Sequence, residues 1–132
     1  MKLRITDVMT HAPVTIGADC SLTEARAVMD RHAIRHLPVM RLGRLVGLVS
    51  ERELDLLLTA PEVDADTAAV SRAMTVSPLV VAPDESVGVV AERMANLKVG
   101  SAVVLRRGEV VGVFTTVDAL RALANLTKPL SA

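Results

Sequence analysis

Gly47-Leu48-Val49-Ser50-Glu51-Arg52-Glu53-Leu54 returns sixty-five residues later as Gly112-Val113-Phe114-Thr115-Thr116-Val117-Asp118-Ala119. In both stretches a glycine and two apolar residues lead to a hydroxyl residue, and a carboxylate stands three positions further on. That order reads as a buried strand running into the capped start of a helix. Sliding the chain by the same offset lays residues 9–58 on residues 74–123 without a gap, with 12 identities in 50 positions. Met9/Met74, Thr10/Thr75, Asp19/Asp84, Gly43/Gly108 and Gly47/Gly112 are among them. The chain is two copies of one unit of about 60 residues.

Each copy carries the same succession of elements. An extended stretch comes first, Val14-Thr15-Ile16 in one copy and Leu79-Val80-Val81 in the other. An amphipathic helix follows, with Leu22, Ala25, Val28 and Met29, or Val87, Val90, Ala91 and Met94, at helical spacing. Ser21-Leu22-Thr23-Glu24 has the form of a capping box, whereas the second copy sets Ser86 against Val89. Two apolar strands then meet at a glycine turn, residues 37–40 and 45–49 about Gly43, and residues 102–105 and 110–114 about Gly108. A second helix closes each copy, over residues 52–58 and 117–126. The expected class is α+β: two β-α-β-β-α repeats packed with pseudo-twofold symmetry, because a unit of about 60 residues buries too little surface alone. The expected domains are residues 5–58 and 71–126. Residues 59–70, with Pro61, Glu62, Asp64 and Asp66 ahead of an alanine-rich run, read as a solvated connector with a short helical portion.

Composition narrows the function. Of 132 residues, 51% are apolar and 23% charged, enough for a core and too few charges for a disordered polyelectrolyte. Fifteen Lys and Arg balance fifteen Asp and Glu, so there is no basic footprint for nucleic acid or an anionic membrane. Phe114 is the one aromatic residue, which removes the stacking platforms of single-strand binders. Cys20 is alone, so neither an internal disulfide nor a cysteine-based zinc site is expected. No apolar run approaches the ~20 residues of a membrane span, and residues 1–7 lack the apolar stretch of a signal peptide. The expected location is cytoplasmic.

Ile34-Arg35-His36-Leu37-Pro38-Val39, the two glycine-led stretches quoted above, and the lead-ins Asp7-Val8-Met9-Thr10 and Arg72-Ala73-Met74-Thr75 together resemble the cystathionine-β-synthase (CBS) domain family. The resemblance covers residues 5–126, and it is the duplicated order of motifs that is specific. It implies a stand-alone regulatory module binding an adenosine-containing ligand (AMP, ADP, ATP or S-adenosylmethionine) in clefts between the repeats, signalling to an effector protein and pairing as a homodimer. Among the residues themselves no proton-transfer pair or nucleophile stands out, so no catalysis is expected.

The residues themselves suit such a ligand unevenly. Thr115 and Thr116 put hydroxyls, with free backbone N–H groups, at a helix N-terminus, where a phosphate is favoured. Asp118, one turn in, is a carboxylate for two ribose hydroxyls. Ser/Thr-x-x-Asp/Glu is also what a helix needs for its own cap, and the two roles compete for one carboxylate. In the first copy Ser50 and Glu53 occupy these positions, with the longer Glu side chain a departure from the family pattern. Arg35 and His36 supply cations for phosphate, where the second copy has Gly100 and Ser101. By the resemblance each site mixes the copies: Ala12, Gly17, Ile34 and Arg35 surround the base beside Asp118, and Ser77, Ala82, Val99 and Gly100 surround it beside Glu53.

Other motifs carry less. His32 and His36 are four apart, but a helix end and a strand start separate them, so no metal pair is expected. Walker and dinucleotide glycine patterns are absent, as is a nucleophile elbow. Met29, Met40, Met74 and Met94 fall on apolar positions as core filler. The leucines at 54, 56, 57 and 58, with Ala119, Leu120, Leu123 and Leu126, exceed what one helix face buries, and imply a dimer interface. The alternative function is a structural dimerisation or adaptor module with degenerate ligand sites.

Overall fold

The computed structural model describes residues 2–11 and 14–129. In chain order the elements are α1 (Ile5–Val8), β1 (Thr10–His11), β2 (Ile16–Gly17), α2 (Leu22–His32), β3 (His36–Arg41), β4 (Arg44–Ser50) and α3 (Glu51–Leu58). A 3₁₀ turn at Val70–Arg72 precedes β5 (Thr75–Val76), β6 (Val80–Val81), α4 (Val87–Leu97), β7 (Ser101–Arg106), β8 (Glu109–Thr115) and α5 (Thr116–Thr127). The chain divides into a contiguous unit, Ala12–Pro78, and a composite unit, Met1–His11 with Leu79–Ala132. Each holds one four-stranded sheet, ordered β2-β3-β4-β5 and β1-β8-β7-β6. The class is α+β, as expected.

The contiguous unit is built on the β3–β4 hairpin, paired from His36↔Ser50 to Arg41↔Arg44, with β2 parallel on one side and β5 antiparallel on the other. Leu37, Val39 and Val49 of the sheet, Leu22, Ala25 and Met29 of α2, and Leu54 of α3 form its core. Ser21 caps α2, its hydroxyl accepting from the Glu24 amide at 3.1 Å, which is one half of the expected box. The connector is not merely solvated. Ala68 and Val70 are buried in this core with Val63 and Ala65 against it, because the alanine-rich run is apolar enough to stay out of water. The leucines of α3 also differ from expectation. Leu54 is fully buried and Leu57 and Leu58 pack on the core, leaving only Leu56 of the four largely exposed.

In the composite unit β7 and β8 make the equivalent hairpin, β6 lies parallel to β7, and β1 lies antiparallel to β8. Phe114, Val104, Ala102, Val81, Val90, Met94 and Ile5 fill the core. The N-terminal segment is stitched down by its backbone: the Ile5 and Thr6 amides donate to the carbonyls of Glu85 and Pro83, both at 2.9 Å. Thus the lead-in of the first copy completes the sheet of the second, and β5, the lead-in of the second, completes the sheet of the first. Among the described residues no helix is long and apolar enough to cross a membrane.

Both hairpins turn on two residues with positive φ: Leu42 (52°) with Gly43 (75°), and Arg107 (52°) with Gly108 (81°). Leu42 is 96% exposed, so it bears the left-handed conformation without burying anything. Leu42→Asn is expected to raise stability by about 0.5–1 kcal/mol, asparagine being at ease in this turn. Urea denaturation measures it, and a lowered midpoint would refute the turn argument.

Candidate functional site

The carboxylates singled out by the repeat both lie at N3 of a helix that leaves the end of a hairpin strand. In the composite unit Thr115 ends β8 and caps α5. Asp118 Oδ2 accepts from the Thr115 amide at 2.9 Å and from the Thr115 hydroxyl at 3.1 Å. The Asp118 amide in turn donates to that hydroxyl at 3.2 Å. A third donor comes from far away in sequence: Thr10 Oγ1 of β1 reaches Asp118 Oδ1 at 3.0 Å. Asp118 is 4% exposed, the one polar or charged side chain among the described residues that is buried. Its burial is tolerable because its hydrogen bonds are made.

The contiguous unit repeats the arrangement with Glu53. Its Oε1 accepts from the Ser50 amide at 2.9 Å, while the Glu53 amide donates to Ser50 Oγ at 3.1 Å. Thr75 Oγ1 of β5 donates to Oε2 at 2.6 Å. Thr10 and Thr75 correspond in the repeat, so each lead-in strand ties its hydroxyl to the helix it meets. Glycine makes the approach possible. A Cβ on Gly112 would stand 2.6 Å from Met9 Sδ and 2.9 Å from the Thr10 carbonyl, and one on Gly47 would meet Met74 and, at 2.9 Å, the Thr75 carbonyl. Met74 therefore does more than fill core: it covers a glycine notch, as Met9 does.

The helix N-termini are less open than the sequence suggests. The Thr116 amide donates to the Gly100 carbonyl at 3.0 Å, as does the Thr116 hydroxyl at 3.2 Å. The Glu51 amide is likewise taken by the Arg35 carbonyl at 2.8 Å. First-position and third-position amides, expected free for a phosphate, are thus occupied by the chain itself. The reason is local: Arg35 and Gly100 stand just ahead of β3 and β7, whose first residues pair with the hydroxyl residues that end β4 and β8.

The remaining predicted residues fall in two places within each unit. Arg35 is exposed, His36 half-buried opposite Ser50, and Ile34, half-buried, donates its amide to Met29. Ser101 lies opposite Thr115, with Gly100 and Val99 exposed ahead of it. Gly17 is elsewhere, paired with Met40, four residues along β3 from His36. Ala82 follows β6, and its amide donates to Glu85 Oε2 at 2.6 Å. Ser77 follows β5 with φ 51°. Ala12 lies outside the described residues.

Thr10 and Thr75 are what residue-by-residue reading missed. Their signal was in the alignment of the copies, where Met-Thr and the glycine that receives it are all identities. Nearby, Arg26 of α2 pairs with Asp30 at 2.9 Å, Glu51 at 3.1 Å and Asp55 at 2.9 Å. These carboxylates, Asp30 foremost, hold its guanidinium above the ordinary arginine range. A shallow groove of about 350 Å³ lined by Glu51, Arg52, Asp55, Leu56 and Thr59 runs along α3, but it contains none of the predicted ligand residues. Among the described residues no cluster of His, Cys, Asp and Glu is arranged to hold a metal.

A family model described as the CBS domain matches residues 5–58 and again residues 70–125. L-aspartate semialdehyde sulfurtransferase of Methanocaldococcus jannaschii is 29% identical over 126 residues, which is 92% of this chain and 24% of that protein. A solved CBS domain pair in complex with 5′-methylthioadenosine and S-adenosyl-L-methionine has a TM-score of 0.77 at 25% identity, covering 92% of this chain and 99% of its own. A Vibrio cholerae protein described as serving acetoin utilization has a TM-score of 0.76 at 27% identity, covering 96% and 93%. The chain spans only 11%, 24% and 36% of the length of the first curated relatives it matches.

Proposed function

Because the chain belongs to the CBS-domain family, with two such domains in tandem, we propose that it is a regulatory module whose ligand contains adenosine. The observation that carries this reading is the pair of carboxylates, Asp118 and Glu53, each fixed by a capping box at the start of a helix that follows a hairpin. A carboxylate held in one orientation accepts both hydroxyls of a ribose as charge-assisted bonds. The related domain pair solved with two adenosine compounds supports the same ligand class. Arg35 and His36, at the head of β3, are the cations for a phosphate or other anionic group, and Ile34 and Val99 offer apolar surface to the base. Gly17, Ser77, Ala82 and Ala12 complete the proposed base contacts.

Ligand occupancy is read by an effector protein. The protein also pairs with a second copy through α5, where Val117, Leu120, Leu123 and Leu126 are each more than half exposed. A second reading, an adaptor with degenerate sites, is favoured by one observation: the helix amides and carboxylates already have partners within the chain.

Native mass spectrometry of freshly purified protein, followed by titration calorimetry with AMP, ADP, ATP, S-adenosylmethionine and 5′-methylthioadenosine, decides between them. The expected result is a dimeric mass and at least one binder. No binding of any at millimolar concentration leaves the adaptor.

A further inference from the structure

Building on the adenosine reading, we infer that Thr10 competes with the ligand's ribose for Asp118, so that the composite unit takes its nucleoside only by releasing β1. A carboxylate offers about four acceptor positions, two on each oxygen. On Asp118, Oδ2 already takes two donors from Thr115, and Oδ1 takes Thr10. One position remains, on Oδ1, while a ribose diol brings two donors. Glu53 is filled differently, with the Ser50 amide on Oε1 and the Thr75 hydroxyl on Oε2. It keeps one position on each oxygen, which a diol spanning both oxygens can use without displacing anything.

The donor that yields on Asp118 follows from what each holds in place. The Thr115 pair is the carboxylate half of the α5 capping box, and losing it leaves the Thr115 amide without its side-chain acceptor. Thr10 is exposed on a two-residue edge strand, paired to β8 only at Val113 and Gly112. A strand so short opens locally far more easily than a core element, and its opening carries the Thr10 hydroxyl away from Asp118. Thr10 is therefore a specificity-determining residue, set against ligands that carry the diol.

The test is calorimetric titration of the full chain with AMP and with 2′,3′-dideoxy-AMP, on the wild type, Thr10→Val and Thr75→Val. Thr10→Val should tighten AMP about five- to tenfold, the worth of one competing hydrogen bond. It should leave the dideoxy compound unchanged, and Thr75→Val should not tighten AMP. A silent wild type with a binding Thr10→Val also supports the competition. AMP bound by the wild type, with no gain in Thr10→Val, overturns the competition and leaves the adenosine reading standing. No AMP binding by any of the three, with S-adenosylmethionine and ATP equally silent, overturns both. Should Thr10→Val fail to fold, hydrogen exchange on the wild type replaces it: AMP should speed exchange at the amides of β1, and unchanged protection overturns the proposal.

Discussion

Gly112→Ala is expected to lower stability by about 2–3 kcal/mol, far more than alanine usually costs on a strand. The new methyl would sit 2.6 Å from Met9 Sδ and 2.9 Å from the Thr10 carbonyl. The thioether can swing aside, but the carbonyl belongs to the backbone of β1 and moves only with the strand. Displacing β1 also takes Thr10 from Asp118, which leaves that buried carboxylate one donor short. Removing Met9 as well, in Gly112→Ala/Met9→Ala, should therefore restore only part of the loss. Gly47→Ala should behave alike, since the Thr75 carbonyl stands 2.9 Å from its added Cβ. Urea midpoints that match the wild type would show that the lead-in strands do not depend on these notches.

Asp118→Asn should also cost about 2–3 kcal/mol, where a simple cap residue would lose about 0.5–1 kcal/mol. Asparagine keeps one acceptor oxygen but turns the other position into a donor. At 4% exposure the amide nitrogen is best set toward Thr10, whose hydroxyl must turn from donor to acceptor, while the Thr115 N–H and O–H lose the charge that strengthened their bonds. Glu53→Gln presents the same exchange at a half-buried site with two donors, and should cost about half as much. Thermal melting of both variants makes the comparison. A loss at Asp118 no larger than at Glu53 would mean that the bond to Thr10 adds nothing to the cap.

Helices and hairpins were legible because each has a long signal. Leu22, Ala25 and Met29 lie three and four apart and are the residues α2 buries, and glycine sits in each two-residue turn. The capping boxes at Ser50 and Thr115 were legible for the same reason, being contained in four consecutive residues. What escaped was short or distant. Thr10–His11 and Thr75–Val76 are strands of two residues, below any periodicity, and nothing local says that β1 must pair with β8 rather than with its own copy. The occupied helix amides escaped too, since the acceptors on Gly100 and Arg35 are backbone carbonyls that no side chain announces. On α3 the helical period, applied leucine by leucine, separates Leu56 from Leu54, Leu57 and Leu58. The count of apolar residues alone did not.

The exchange of lead-in strands also sets an order of events during synthesis. The contiguous unit has all four of its strands within one uninterrupted stretch, and it can close as soon as β5 leaves the ribosome. The composite unit needs two separated stretches, Met1–His11 and Leu79–Ala132. Thr10 pairs with Val113, so β1 waits for more than a hundred further residues before its partner exists. At roughly 5–20 residues per second that is on the order of ten seconds, while Ile5, Val8 and Met9 have no core to enter. Brevity protects such a segment, since a strand of two residues is a poor template for pairing with a neighbouring nascent chain. The same brevity that hid β1 from the sequence thus keeps it harmless until the last strand arrives.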